Sequence, residues 1–99
     1  MPGTIDRLIH EPSRLRLMSL LYVVDEADFV YLSIQTGFTS GNISSHMTKL
    51  EAASYVELDK AFVDRKPRTI YRLTPEGRKA LDAYREAMKA LLAPWDSEA

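Results

Sequence analysis

The chain has 99 residues, 45% of them hydrophobic, a formal net charge of −1 and no cysteine. That length makes one domain, residues 1–99, with no room for a separate effector module. Lack of cysteine excludes disulfides, thiol catalysis and the usual zinc-finger ligand sets, and the near-zero charge is a mild argument against nucleic-acid binding, so such a role rests on how the charges are distributed.

The opening residues, MPGTIDRLIHEPSR, lack the apolar run and cleavage site of a signal peptide. The longest apolar stretch, Leu15 to Val24, is broken by Arg16 and Ser19 and is too short to span a bilayer. A cytoplasmic location is the default expectation. Residues 5–10 read as a short helix or turn that packs Ile5, Leu8 and Ile9, and Pro12 ends it. Ser13 then caps a helix running to about Val24. Its apolar residues, Leu15, Leu17, Met18 and the run Leu20–Val24, make more than one stripe. One side can face the core and another a second copy; a central helix of the monomer is the simpler reading.

Asp25–Asp28, DEAD, is polar and reads as a loop. The four-letter match to a helicase motif carries nothing, because the chain has no phosphate-binding Gly-Lys loop. Phe29–Thr36 is expected to be a second helix, after a residue or two of strand, with Leu32 and Ile34 as its core contacts. Gly37 ends it in the left-handed conformation that glycine tolerates, and Phe38 fills the angle to the next helix.

That next helix is the most informative part of the chain, within TGFTSGNISSHMTKLEAASYV, residues 36–56. At about 100° per residue, Ile43, Met47 and Leu50 fall on one side and Gly41, Asn42, Ser45 and Lys49 on the other. Thr39 and Ser40 are candidate N-caps. An apolar underside with an outer face of small polar residues suits the major groove. Small side chains allow close approach, Asn pairs with adenine, Ser donates or accepts, and Lys meets phosphate or guanine. Ser54 stands near the helix end, where glycine commonly makes the turn. Tyr55–Val63 alternates as a strand with Val56 and Leu58 inward, and Arg68–Leu73 returns with Tyr71 and Leu73 inward. Between them DRKP is expected to be a loop stiffened by Pro67. From Lys60 to Arg72 there are five basic residues against one acidic. Thr74, Pro75 and Glu76 open a last helix as cap, first-turn proline and dipole partner. Leu81, Tyr84, Met88 and Leu91 form a heptad-like seam along it. Pro94 is expected to stop it, leaving Trp95 beyond and the tail DSEA frayed.

Helix, helix, turn, helix, two-stranded hairpin, helix makes a mainly α fold with a small β-hairpin (α+β). FVYLSIQTGFTSGNISSHMTKLEAASYVELDKAFVDRKPRTIYRLTPEGRKAL, with the opening IHEPSRLRLMSLL, resembles the DNA-binding core of compact ArsR- and MarR-like winged helix-turn-helix transcriptional regulators over about residues 10–92. The resemblance implies a homodimer on a pseudo-palindromic double-stranded DNA site, a repressor that works by occupying it. Recognition-helix contacts would come from Ser40, Gly41, Asn42, Ser44, Ser45, His46 and Lys49, and wing contacts from Arg65, Lys66, Arg68 and Thr69. Dimerisation in such proteins uses the first long helix and the last, here 13–24 and 75–93, which nominates Leu17, Leu21, Leu81, Tyr84, Met88 and Leu91. The chain departs from the pattern at Ser54 and in lacking the metal-ligand set of metal-sensing members, so no metal or other cofactor is expected.

His46 is open between a DNA contact, a helix-flank residue and a partly buried packing residue, while His10 reads as structural. Tyr22, Tyr31 and Trp95 are where a small-molecule effector's cleft would form, but plain packing explains them and the sequence supports no more. No nucleophile–base pair, metal cluster or phosphate loop can be assembled, so no catalytic residue and no enzyme is expected. The rival reading is a winged-helix protein–protein adaptor that does not bind DNA; the single-signed hairpin tip argues against it.

Overall fold

The first helix begins earlier than a cap at Ser13 would have it. In the computed structural model, which describes residues 4–97, α1 spans Pro12–Val24 and its cap is Glu11. The Glu11 carboxylate accepts from the backbone N–H of Ser13 at 3.0 Å and of Arg14 at 2.8 Å. Pro12 takes the first helical position, where its missing N–H costs nothing. Asp6 organises the turn before it: Oδ1 accepts from the N–H of Leu8 and Ile9, and Ile9 is fully buried. The other Asp6 oxygen accepts from the Tyr55 hydroxyl at 2.5 Å. That hydrogen bond to a carboxylate, with burial, pushes the Tyr55 phenol up to about 12.

α1 is the central helix. Leu17, Met18 and Leu21 are wholly buried, whereas Val23 is 79% exposed. Leu17 and Leu21, expected at a dimer interface, therefore lie inside the chain's own core with no surface to offer a second copy. After α1 the DEAD segment is not a loop. Asp25 turns the chain at φ 69° and Glu26–Asp28 forms a strand, β1. Ala27 points into the core, and Glu26 and Asp28 point out.

α2, Phe29–Thr36, is capped by Asp28, whose side chain accepts from the Tyr31 N–H at 2.9 Å, and ends at Gly37 with φ 74°. Leu32 is fully buried, but Ile34 is 74% exposed. Two residues along a helix turn the side chain to nearly the opposite face, so the two cannot share the core. α3, Ser40–Ala52, is capped by Thr39 and buries Ile43, Met47 and Leu50. At its end the Tyr55 N–H reaches Leu50 O and the Ser54 N–H reaches Glu51 O, both at 2.9 Å, with Ser54 at φ 63°. This is the Schellman arrangement, made with serine in place of glycine.

β2, Val56–Val63, and β3, Lys66–Leu73, form the hairpin, and the antiparallel sheet has the order β1-β3-β2. The connection is tighter than the expected DRKP loop. Asp64 and Arg65 alone make it, at φ 51° and 67°, a two-residue turn whose twist suits a hairpin. Val63 faces Lys66 and Phe62 faces Pro67. The closing pair of such a turn is the hydrogen-bonded one, so Pro67 falls in a pair that needs no N–H from it.

α4 runs Pro75–Ser97, through Pro94 rather than up to it. A proline so near the end of a helix breaks one rung of bonding without ending the coil. Of the tail expected to fray, Asp96 and Ser97 belong to α4; Glu98 and Ala99, like Met1–Gly3 of the opening, lie outside the described residues. Leu81 and Tyr84 are 8% and 7% exposed, Met88 is half-buried and Leu91 is 58% exposed. The expected seam thus starts in the core and leaves it halfway along. Across to α1, Tyr22 donates to Asp82 at 3.0 Å and carries the Arg78 guanidinium 4.6 Å above its ring. His10 and the Tyr84 hydroxyl share a 2.9 Å hydrogen bond, which gives His10 its structural role. Among the described residues, no helix is long and apolar enough to cross a membrane.

Candidate nucleic-acid interface

Ser40, Gly41, Asn42, Ser44, Ser45 and Lys49 of α3 are all exposed. Nothing among the described residues covers this face. Gly41 is informative because the fold does not require it. A Cβ built there would meet only Thr39 Oγ1, at 4.0 Å. Gly41 is the second residue of α3, and no neighbour among the described residues crowds its missing Cβ. Thr48 shares the exposed outer arc and belongs with these residues; its hydroxyl donates to Ser44 O at 2.9 Å. Helical spacing from Gly41 and Ser45 places it on the same arc.

His46 is different. It turns to the flank of α3 against the start of α1, with Nδ1 3.3 Å from Arg14 Nη1 and 3.7 Å from Glu11 Oε2. Its side chain is 19% exposed. Of the three readings left open for His46, the partly buried packing residue is the one with these contacts. Burial alone would raise the Glu11 carboxyl, but the N–H donors of Arg14 and Ser13 and the charges of His46 and Arg14 hold it below the usual glutamate value. This cluster ties the flank of α3 to the start of α1.

The hairpin's positive charge is smaller than its composition. Arg68 donates to Asp28 Oδ2 from both Nε and Nη2 at 2.9 Å. Arg72 meets Asp59 at 2.6 Å and Glu26 at 3.2 Å, and these carboxylates raise its pKa further. The two acidic residues of β1 therefore neutralise the inner half of the hairpin. Among the described residues, Lys49, Lys60, Arg65 and Lys66 have no ion pair. Arg65 and Lys66 sit at the tip and its closing pair; Thr69 is half-buried opposite Lys60. Lys60 was not singled out in the sequence, because its place on the outer hairpin depends on the register.

Residues 13–92 match the family model described as a winged helix DNA-binding domain. The chain is 31% identical over 78 residues to an uncharacterized protein of Methanocaldococcus jannaschii, which spans 79% of this chain and 85% of that one. The structure of a transcriptional regulator homologue from Pyrococcus horikoshii OT3 superposes with a TM-score of 0.85 at 28% identity, over 92% of this chain and 90% of that one. A MarR-family transcriptional regulator from Silicibacter pomeroyi has the same fold at 21% identity, with a TM-score of 0.62 over 87% of this chain and 60% of that one.

Proposed function

The chain belongs to the winged helix DNA-binding domain family, and from that membership we propose that it is a sequence-specific transcriptional regulator that represses by occupying its site as a homodimer. The observation that carries the reading is the outer face of α3, small, polar and exposed, with a glycine that no neighbour among the described residues crowds. Asn42 and Ser45 read base edges in the major groove. Lys49, Arg65 and Lys66 meet phosphates, which position the protein without specifying sequence. The cytoplasm, where such a regulator meets the chromosome, is its proposed location. The test is selection of bound fragments from genomic or random duplex DNA, followed by binding across a salt series. Enrichment of one motif with a steep loss of affinity in salt supports the proposal. No specific shift on any fragment would favour the adaptor reading instead.

For the dimer, the support is apolar surface left over on α1 and α4. Val23, Leu91 and Trp95 are 79%, 58% and 73% exposed. Val23 and Trp95 line a groove of about 930 Å³ together with Leu15, Tyr22, Met88 and Leu92. A two-fold partner offering the same surface would cover both helices. Leu91→Glu with Trp95→Glu should sediment as a monomer that stays folded, and an unchanged mass would remove the case for this seam. Leu81 is no use as a probe, since at 8% exposure its replacement by Glu would report folding.

A further inference from the structure

Phe62 is 79% exposed, the most exposed aromatic side chain among the described residues. Alternation along β2 puts Val56, Leu58, Lys60 and Phe62 on one face, opposite Leu73, Tyr71, Thr69 and Pro67. The first two of these pairs pack in or against the core. The last runs past the end of it. Phe62 and Pro67 thus continue the core-facing side of the hairpin out into solvent, two residues from the turn. Packing within the chain does not account for an aromatic there, since a threonine would serve the strand as well without exposing a ring. Lys60 shares its face, Arg65 lies in the turn beyond it and Lys66 stands on the opposite face in the closing pair; none has an ion pair among the described residues. The tip therefore carries one apolar point on a hairpin with cations along both faces. Cations so placed select a polyanion, and an apolar point on a hairpin this narrow suits a slot with stacked, apolar contents. The minor groove of duplex DNA is such a slot, and side chains of this kind enter it by unstacking a base step.

We propose that Phe62, backed by Pro67, is a wedge that enters the minor groove beside the bases met by α3 and opens one base step there. This rests on the DNA-binding reading above. It assigns the hairpin a deforming role that its cations alone would not have, and it predicts sequence preference at a position no polar side chain touches, because flexible steps open at lower cost.

The test uses the full chain and a duplex enriched from a random-sequence pool by that chain, with 2-aminopurine in place of adenine at successive flanking positions. Unstacking should raise the emission roughly twofold or more at one flanking step. Phe62→Thr, which keeps a strand-forming residue, and Phe62→Ala should bind the same duplex roughly tenfold more weakly, with no rise in emission. Their salt slope should match the unaltered chain, because the cations remain. Weaker binding with the emission intact would make Phe62 a support of the hairpin and overturn the wedge. So would unchanged affinity and emission. Phe62-dependent sedimentation with phosphatidylglycerol vesicles, and no effect on DNA, would assign the tip to a lipid surface and overturn it too. A pool that yields no enriched duplex defeats the DNA reading itself, an outcome distinct from enrichment without unstacking.

Discussion

Gly77→Ala should unfold the chain at a temperature roughly 10–20 °C lower, a loss of about 3 kcal/mol. Gly77 lies in the first turn of α4, where its N–H donates to Thr74 Oγ1 at 2.9 Å. A Cβ there would sit 2.0 Å from Tyr55 O, 2.8 Å from Tyr55 C and 3.0 Å from Tyr55 Cα. These are backbone atoms and cannot rotate away. Tyr55 is also pinned on three sides, by its N–H to Leu50, by its carbonyl to the Thr74 N–H at 3.1 Å and by its hydroxyl to Asp6. Alanine's better helix propensity returns at most about 1 kcal/mol, against an overpacking cost of about 1–3 kcal/mol even where neighbours can yield. The turn that ends α3 and the turn that begins α4 are thus held against each other without spare room. Thermal or urea unfolding of the variant measures the effect. An unchanged midpoint would mean that α4 can slide off Tyr55, and the two turns would not be rigidly joined.

The parts of this fold that were legible in the sequence are those set by local chemistry. Thr39 as a cap, Gly37 at the end of α2, Thr74 before Pro75, and the period of Ile43, Met47 and Leu50 each depend on residues within about one or two helical turns. The parts that were not legible depend on distant partners. β1 is three residues long, with a single apolar side chain, and becomes a strand only because β3 supplies an edge to pair with. Ser54 takes the left-handed turn because Leu50 and Glu51 offer carbonyls, and serine bears a cost of about 1–2 kcal/mol that glycine would not. The two-residue hairpin turn was hidden for a similar reason. Asp64-Arg65 lacks the usual glycine, and Pro67 is compatible with a strand only in a pair that needs no N–H from it, which the register alone decides.

The candidate interface divides in the same way. The exposed face of α3 follows from helical periodicity, and six of its seven nominated residues are exposed. His46 is the exception because Glu11 and Arg14, more than thirty residues earlier, draw it to the flank. Of the nominated wing cations, Arg65 and Lys66 have no ion pair among the described residues, whereas Arg68 is held by Asp28. Counting basic residues could not reveal that Asp28 and Glu26, read as parts of a loop, come to rest beside Arg68 and Arg72.

This neutralisation separates residues that composition treats alike. Replacing Arg65 and Lys66 together with Ala should weaken binding to every duplex by roughly tenfold or more and make the log–log salt dependence shallower by about 2 per subunit, one for each phosphate released. Arg68→Ala should do far less, because a guanidinium held at 2.9 Å through two nitrogens by Asp28 must give up that pair before it can serve a phosphate. Asp28→Asn makes the converse case. Asparagine still caps α2, since its side-chain oxygen can accept from the Tyr31 N–H, but it no longer holds the Arg68 charge. Binding should then tighten on all sequences and the salt dependence steepen by about 1 per subunit. Asn42→Ala or Ser45→Ala should leave the slope alone and change which bases are preferred, by about 1–3 kcal/mol for a lost base contact. Salt titrations of each variant on the selected duplex and on a scrambled one measure all four effects. Equal losses for Arg68→Ala and for the tip pair would mean that the Asp28 contact opens on binding, and β1 would then be a competitor with DNA instead of a fixed clamp.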